Sequence, residues 1–176
     1  MSVHETSIDG LYACVGVVTS DDRGSFAKNW LAEHAAPQVF GDEALIAYSV
    51  NPNRHTLRGM HYEVAPSMQW KFVCCVAGSA LDVVCDPRHD SQTFGRHEST
   101  TLSATIATGW LIAPGLAHGY LTLEPNTVMV YLLSSDQSPE LAQGLRYDDP
   151  VFSVQWPTAP VVISKKDAEY GWIELP

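Results

Sequence analysis

The sequence is poor in positive charge, with 10 Lys and Arg residues against 20 Asp and Glu and a formal net charge of −10. A nucleic-acid surface is therefore not expected, because such surfaces bind phosphate mainly through Lys and Arg. The chain also lacks any run near the roughly 20 apolar residues that a membrane-spanning helix needs. Residues 1–5 lack the basic and apolar regions of a targeting signal. These absences predict a cytoplasmic protein with neither nucleic acid nor membrane among its partners.

Cysteine is scarce as well. The cysteines are Cys14, Cys74, Cys75 and Cys85, which form no CxxC pair. The adjacent two would face opposite sides of a strand. We interpret all of them as reduced core thiols, not as a disulfide or zinc site. With 45% hydrophobic residues, the 176-residue chain suits one compact domain that spans residues 1–176.

Helical patterns are few, and short β-like runs rich in Val, Tyr, Thr and Leu take their place. These runs cover residues 45–51, 56–63, 70–77, 80–86, 109–113, 119–123 and 127–133. Many short strands at near-regular spacing predict an all-β sandwich or barrel.

Turn residues at 77–79 and 124–126 predict two tight hairpins. Two short helices are expected, at residues 25–33 and 164–170. The second begins with Ser164 as a candidate N-cap, with Asp167 three positions later.

One strand carries the first chemical cluster, the sequence Thr-Leu-Arg-Gly-Met-His-Tyr-Glu at residues 56–63. In a regular strand Arg58 and His61 would face opposite sides. Gly59 permits a bend that would bring them together. Lys71 follows in an apolar run, where a buried ammonium without a purpose would be costly.

A second cluster lies at residues 109–120, where a strand, a Pro114-Gly115 turn and a return strand beginning near His118 follow one another. This arrangement resembles the second signature segment of the cupin jelly roll.

Taken together, the motifs resemble the dTDP-4-dehydrorhamnose 3,5-epimerase family from about Leu11 to Asp167. The matching segments, in chain order, are Asp-Arg-Gly-Ser-Phe at 22–26, Ser-Val-Asn at 49–51, Thr-Leu-Arg-Gly-Met-His-Tyr at 56–62, Gln-Trp-Lys at 69–71, Asp-Val-Val-Cys-Asp-Pro-Arg at 82–88, Ala-His-Gly-Tyr at 117–120, Gly-Leu-Arg-Tyr-Asp-Asp-Pro at 144–150, Trp-Pro at 156–157 and Ile-Ser-Lys-Lys-Asp at 163–167.

The resemblance implies a cupin-type jelly roll with a few short helices. It also implies a reaction, without metal or cofactor, on a nucleotide-linked 4-keto-6-deoxyhexose similar to dTDP-4-dehydro-6-deoxyglucose. A base removes the proton beside the ketone, an enolate forms, and an acid returns a proton to the opposite face, so that carbon 3, carbon 5 or both invert. By motif match, His61 corresponds to the base, Asp167 to its orienting carboxylate, Lys71 to the enolate stabiliser and Tyr131 to the acid.

Ten further positions are assigned to substrate binding by the same resemblance: Arg23, Phe26, Lys28, Ser49, Asn51, Arg58, Glu63, Gln69, Asp82 and His118. Arg23 and Arg58 match the diphosphate contacts, for which a planar guanidinium is well suited. Asp82 and His118 either bind the substrate or satisfy each other. A homodimer is implied, in which the N-terminal segment carrying Arg23 and Phe26 reaches the neighbour's site.

Some positions depart from the family pattern. Lys28 stands where many relatives carry Glu, Glu63 where Gln is usual, His55 where Gly is common, and Trp70 replaces a smaller residue. The nucleotide base and the exact sugar therefore stay open.

The sequence leaves two other functions open. A metal cupin such as a dioxygenase would need a cluster of His and carboxylate ligands, for which His61, Glu63 and His118 are candidates. Lys71 would then place a positive charge beside the metal. A non-catalytic sugar-binding cupin would be free to lose the four residues matched to catalysis, yet all of them are present.

Overall fold

The computed structural model describes residues 2–29 and 39–175 and consists almost entirely of β-strands. The elements are β1 (Ser2–Glu5), β2 (Leu11–Val15), β3 (Val17–Asp21), β4 (Gly24–Lys28), β5 (Leu45–Asn51), β6 (Thr56–Glu63), β7 (Lys71–Ala77), β8 (Ser79–Cys85), β9 (His97–Ser103), β10 (Thr108–Ile112), β11 (Ala117–Thr122), β12 (Thr127–Leu133), β13 (Ala142–Gly144), β14 (Val162–Ile163) and the helix α1 (Lys165–Ala168).

Two sheets pack face to face as a sandwich. The first has the order β1-β2-β10-β7-β12-β5, and the second has the order β13-β6-β11-β8-β9 with β14 parallel to β6. The predicted all-β jelly-roll fold is confirmed. Each predicted run forms a strand, and β5, β6 and β12 have the predicted bounds. The predicted runs leave out β1 to β4, β9, β13 and β14. β9 was missed because it is a largely polar strand at the edge of the second sheet.

The two predicted turns are real, but the prediction that they close hairpins is wrong. The turn at 77–79 joins β7 in the first sheet to β8 in the second, and the turn at 124–126 leads from β11 back to β12 in the first sheet. Gly78 and Asn126 have φ values of 69° and 56°, in the left-handed region that glycine and asparagine tolerate best. The local turn chemistry was therefore right, and the assignment of strand partners was not.

The helix expected at residues 25–33 is also wrong over its described part. Residues 25–28 belong to β4, which pairs with β3 in a separate two-stranded hairpin. Residues 30–33 lie outside the described residues. The second helix is confirmed in shortened form, since Ser164 caps α1 by accepting the backbone N–H of Asp167 at 3.0 Å. No helix within the described parts of the chain is long and apolar enough to cross a membrane.

The interior between the sheets is filled from both sides. Val73 and Met129 of the first sheet pack with Val84 and Tyr120 of the second, and each is at most 1% exposed. The four cysteines are buried and free, as predicted. Cys75 belongs to the interior cluster and its neighbour Cys74 to a cluster on the other face of β7, so the adjacent pair does face opposite sides.

A bulge in β6 decides where its side chains point. In the pairing with β11, His61 lies opposite His118 and Arg58 lies opposite Tyr120, so β6 carries one extra residue between the two pairs. His118 and Tyr120 share one face of β11, and the extra residue therefore places Arg58 and His61 on one face as well. Gly59 has a φ of 125°, and a Cβ there would stand 2.5 Å from the Cα of Gly119. The bend predicted at Gly59 is confirmed.

Candidate functional site

The site is centred on His61, which is held by the carboxylate of Asp167. One oxygen of Asp167 lies 2.9 Å from Nε2 of His61, and the other accepts the backbone N–H of Gly59 at 3.2 Å. An ionised carboxylate only accepts hydrogen bonds, so Nε2 carries the proton and Nδ1 presents a lone pair. The Ser164 cap fixes the backbone of Asp167. This arrangement selects one tautomer of the imidazole.

The surroundings of His61 favour its neutral form. Burial lowers the pKa of the imidazole, and the nearby charges of Lys71 and His118 lower it further, whereas the hydrogen bond and charge of Asp167 act in the opposite direction. The side chain is still 45% exposed, so solvent or a ligand can reach it. A neutral histidine with a free ring nitrogen can accept a proton near neutral pH.

Lys71 lies at the start of β7, on the same face as the interior residue Val73. Burial lowers the pKa of its ammonium, and the charge of Glu63 partly restores that pKa. Glu63 is itself buried and held on both oxygens, by the backbone N–H of Ser138 at 3.1 Å and the hydroxyl of Ser67 at 2.5 Å. The carboxylate is therefore a fixed counter-charge for a lysine in an apolar setting.

Gln69 is nearby in sequence and almost fully buried. Its Nε2 donates to the backbone carbonyl of Ser135 at 2.9 Å, whereas its Oε1 has no partner among the described residues. A buried amide oxygen without a partner is an acceptor that a ligand can satisfy.

Tyr131 stands on β12 of the first sheet, facing the interior. Its ring meets that of His118 edge to face, with centroids 6.2 Å apart. Burial raises the pKa of the Tyr131 phenol well above its ordinary value, and the neighbouring hydroxyl of Tyr120 adds to this effect. The phenol is therefore protonated over the whole physiological range.

A polar row runs from the exposed Arg58 of β6 to the buried Asn51 of β5. Nε of Arg58 donates to Oδ1 of Asn51 at 2.8 Å, and the hydroxyl of Tyr120 lies 3.3 Å from the same oxygen. The hydroxyls of Tyr120 and Ser49 are 2.8 Å apart. The structure thus brings together three of the predicted substrate contacts, Ser49, Asn51 and Arg58.

His118 and Asp82 form a buried pair. Nε2 of His118 lies 2.9 Å from both carboxylate oxygens of Asp82, which has no exposed surface. The geometry favours the alternative in which the two satisfy each other, although the ring of His118 still borders Tyr131. Within residues 2–29 and 39–175, no three or more His, Cys, Asp or Glu residues are grouped to hold a metal ion. The candidate set His61, Glu63 and His118 accordingly does not form such a cluster.

Three predicted contacts lie away from this group. Arg23, Phe26 and Lys28 belong to the β3–β4 hairpin, residues 17–28, which we call the arm. The Arg23 side chain is 90% exposed and pairs with Asp21, and Phe26 is 63% exposed with the Lys28 ammonium 5.7 Å from its ring centre. The structure does not bring these residues together with His61 in the same chain.

A cavity of about 820 Å³ borders the end of β6. It lies between the 64–68 loop, the turns at 87–89 and 113–115, and the chain at 171–174. Among the predicted residues, Glu63 lines it. The cavity is therefore next to the site, on the side of Glu63, and is not its centre.

Two residues of the site were missed from the sequence. Tyr120 joins Ser49 to Asn51 and is 1% exposed. The alternation of side chains along β11 could have identified it, because it lies two positions after His118. Tyr170 meets the His61 ring edge to face at 6.0 Å. No local pattern signals that contact, because it depends on how the chain after α1 folds back.

Comparison with known proteins agrees with the geometry of the site. Residues 5–174 match the family model for dTDP-4-dehydrorhamnose 3,5-epimerase. The chain is 34% identical to the enzyme of that name from Mycobacterium tuberculosis, over 96% of this chain and 85% of the relative. It is 36% identical to a dTDP-4-dehydro-6-deoxyglucose 3-epimerase of a Streptomyces species, over 88% of this chain and 80% of the relative.

A solved structure of a related enzyme has the same fold. The 3′-monoepimerase of Streptomyces bikiniensis in complex with dTDP-quinovose superposes with a TM-score of 0.86 at 33% identity, covering 97% of this chain and 87% of the other. The match to the family model extends over nearly the whole chain. The chain therefore belongs to the dTDP-4-dehydrorhamnose 3,5-epimerase family, and its activity is that of an isomerase.

Proposed function

We propose that this epimerase acts on a dTDP-linked 4-keto-6-deoxyhexose such as dTDP-4-dehydro-6-deoxyglucose, inverting carbon 3, carbon 5 or both through an enolate. Relatives named for 3,5-epimerisation and for 3-epimerisation both match the chain closely. The related monoepimerase was solved with dTDP-quinovose, which supports a nucleotide-linked sugar as the ligand.

The observation that carries the proposal is the placement of His61 and Tyr131 on facing sheets. His61 lies on β6 of the second sheet and Tyr131 on β12 of the first. His118 pairs with His61 along the second sheet and touches the Tyr131 ring across the interior. A flat sugar enolate between the sheets would therefore meet a base on one face and an acid on the other, as inversion requires.

The proposed steps use the side chains as they stand. Nδ1 of His61 takes the proton from the carbon beside the ketone, while Asp167 stabilises the imidazolium that forms. The electron pair of the broken C–H bond moves onto the ketone oxygen, and the ammonium of Lys71 stabilises the resulting enolate charge. The Tyr131 phenol then returns a proton to the opposite face. Its phenolate and the His61 imidazolium exchange protons with solvent to restore the site.

The proposal needs no metal, because Lys71 supplies the positive charge at the enolate oxygen. The metal-cupin alternative requires His61, Glu63 and His118 to act as ligands. These groups are engaged by Asp167, by Ser67 and Ser138, and by Asp82, respectively. That engagement counts against the alternative.

A homodimer with exchanged arms is part of the proposal. The arm pairs with no strand of the sandwich among the described residues and leaves Arg23 and Phe26 exposed, as expected of a segment that serves a neighbour. On the other face of β5, Ile46, Tyr48 and Val50 are 72%, 72% and 52% exposed. An apolar edge strand of this kind invites a second copy.

We also propose one epimerase domain over residues 1–176 and a cytoplasmic location. Four free, buried thiols suit a reducing compartment.

The test is hydrogen exchange in deuterated water with dTDP-, CDP- and GDP-linked 4-keto-6-deoxy sugars, followed by NMR at carbon 3 and carbon 5. We expect deuterium to enter beside the ketone, with the dTDP sugar most active. The matched control is His61→Ala, which should bind the nucleotide sugar and exchange nothing. Binding without exchange by the wild-type protein would instead support a non-catalytic sugar-binding cupin.

A further inference from the structure

Tyr170 follows α1 and lies three positions after Asp167. Its ring meets the imidazole of His61 edge to face, with centroids 6.0 Å apart and planes inclined by 74°. The histidine therefore has one neighbour at its Nε2 atom and another against its ring. Both come from the same short stretch of chain.

Gly144 makes room for this ring. It lies opposite His61 in the pairing of β13 with β6. A Cβ at residue 144 would stand 2.2 Å from both Cε2 and Cζ of Tyr170, so the ring rests directly on the glycine backbone. Any side chain at 144 would push the ring away from its present place beside His61.

A third contact comes from α1. The ammonium of Lys166 lies 5.9 Å from the centre of the Tyr170 ring, and Lys166 precedes Asp167 in the helix. The ring is thus contacted by His61, by the Gly144 backbone and by Lys166. These contacts are more than a chance approach of two aromatic groups, because the Tyr170 ring fills the space that a side chain at residue 144 would need.

We infer that Tyr170 is a positioning residue for the proposed base: resting on Gly144, its ring fixes the plane of the His61 imidazole and covers part of it from water. The hydrogen bond from Nε2 to Asp167 alone leaves the imidazole free to rock about that bond. An edge-to-face contact against the ring restricts this motion. The inference rests on the proposed function only for the catalytic role of His61.

Several charged groups face His61. Asp167 approaches from α1, Lys71 from β7 and His118 from β11, and Lys166 lies beyond the Tyr170 ring. Replacing Tyr170 removes none of these charges. It exposes the imidazole, and since burial is the main cause that lowers the pKa of His61, that pKa should rise.

The experiment compares Tyr170→Ala, Tyr170→Phe and Gly144→Ala with the wild type. Two quantities are measured: the kinetics of deuterium exchange against pH, and the titration of the His61 ring by NMR, assigned with a His61→Asn variant. NMR needs no turnover, so it tests the inference even if the substrate is wrongly proposed. Absence of exchange in the wild type would count against the proposed function alone.

We expect Tyr170→Ala to lower kcat by up to about 10²-fold, the cost of a small misplacement of a reacting group. KM should change less, and the His61 titration should move to higher pH, because burial is the main cause that lowers the pKa of this imidazole. Tyr170→Phe keeps the ring and should behave as the wild type. Gly144→Ala should reproduce the Tyr170→Ala effects, yet add little in a Tyr170→Ala background, where no ring is left to displace.

Equal effects of Tyr170→Ala and Tyr170→Phe would overturn the inference in favour of a role for the hydroxyl. An unchanged His61 titration in Tyr170→Ala would also overturn it. So would additive effects of the two alanine substitutions, because Gly144 would then act independently of the ring.

Discussion

Tyr131 and His61 lie on different sheets of the sandwich and are linked through His118, which pairs with His61 along its own sheet and meets the Tyr131 ring edge to face. Replacing Tyr131 by Phe removes the proposed acid but leaves the base. Exchange and inversion should then separate: deuterium still enters beside the ketone, while inverted product falls by about 10² to 10⁴-fold. NMR of the product in deuterated water measures both. Equal losses of exchange and inversion would indicate that Tyr131 positions the substrate instead of donating a proton.

The hydrogen bond between His61 and Asp167 predicts that the two act as one unit. His61→Ala should abolish exchange while nucleotide-sugar binding, measured by calorimetry, largely survives. Asp167→Asn should lower turnover by about 10² to 10⁴-fold, because an amide can donate to Nε2 and stabilise the wrong tautomer. Near-normal exchange in His61→Ala would remove His61 from the role of base.

The charge of Glu63 should affect the pH at which activity falls on the alkaline side of the pH profile. Lys71 must stay protonated to stabilise the enolate, burial lowers its pKa, and Glu63 restores part of that loss. Glu63→Gln keeps the shape and loses the charge, so the activity should fall at lower pH than in the wild type. The exposed Glu43→Gln serves as a matched control. If the alkaline limb of the pH profile of kcat does not move, Glu63 does not support the charge of Lys71.

The exposed arm predicts that each subunit of the proposed dimer contributes its arm to the site of the other subunit. Arg23→Ala should raise KM more than it lowers kcat, because a diphosphate contact remote from the reacting carbon binds ground and transition states alike. Arg96→Ala, another exposed arginine, is the control. Mixed dimers of Arg23→Ala and His61→Ala chains should regain activity at low substrate, since one site then combines an intact histidine with an intact arm. No recovery in verified mixed dimers would place each arm at its own site.

The position of Lys71 predicts that activity needs no metal. Prolonged chelation should leave exchange unchanged, as measured before and after dialysis with metal content determined in parallel. Loss of activity that one divalent metal restores would contradict stabilisation of the enolate by lysine.

The sequence predicted strands well because apolar runs and turn residues are local signals. The segment 56–63 illustrates this, including the bend at Gly59 that places Arg58 and His61 on one face. Strand partners were not predictable in this way. Gly78 and Asn126 favour a tight reversal whether the next strand joins the same sheet or the opposite one.

The residues of the candidate site show the same difference between local signals and long-range contacts. Residues in recurring motifs, such as His61 and Lys71, were proposed for the site by resemblance. Tyr170 was not, because its contact with His61 depends on a chain reversal after α1 and on the missing side chain of Gly144. The arm was mistaken in part for a helix because a run of exposed residues has no hydrophobic period to distinguish the two.

The turns that cross between the sheets also determine when the chain can fold. Because these turns form no hairpins, a strand pairs with one that is made much later in the chain. β2 pairs with β10, β7 with β12 and β6 with β11. Closing such long loops costs entropy before pairing offsets it, and topologies of this kind fold in milliseconds to seconds. On the ribosome, neither sheet can be completed until residues beyond 127 have emerged, so the apolar strands made earlier depend on late synthesis for protection against aggregation.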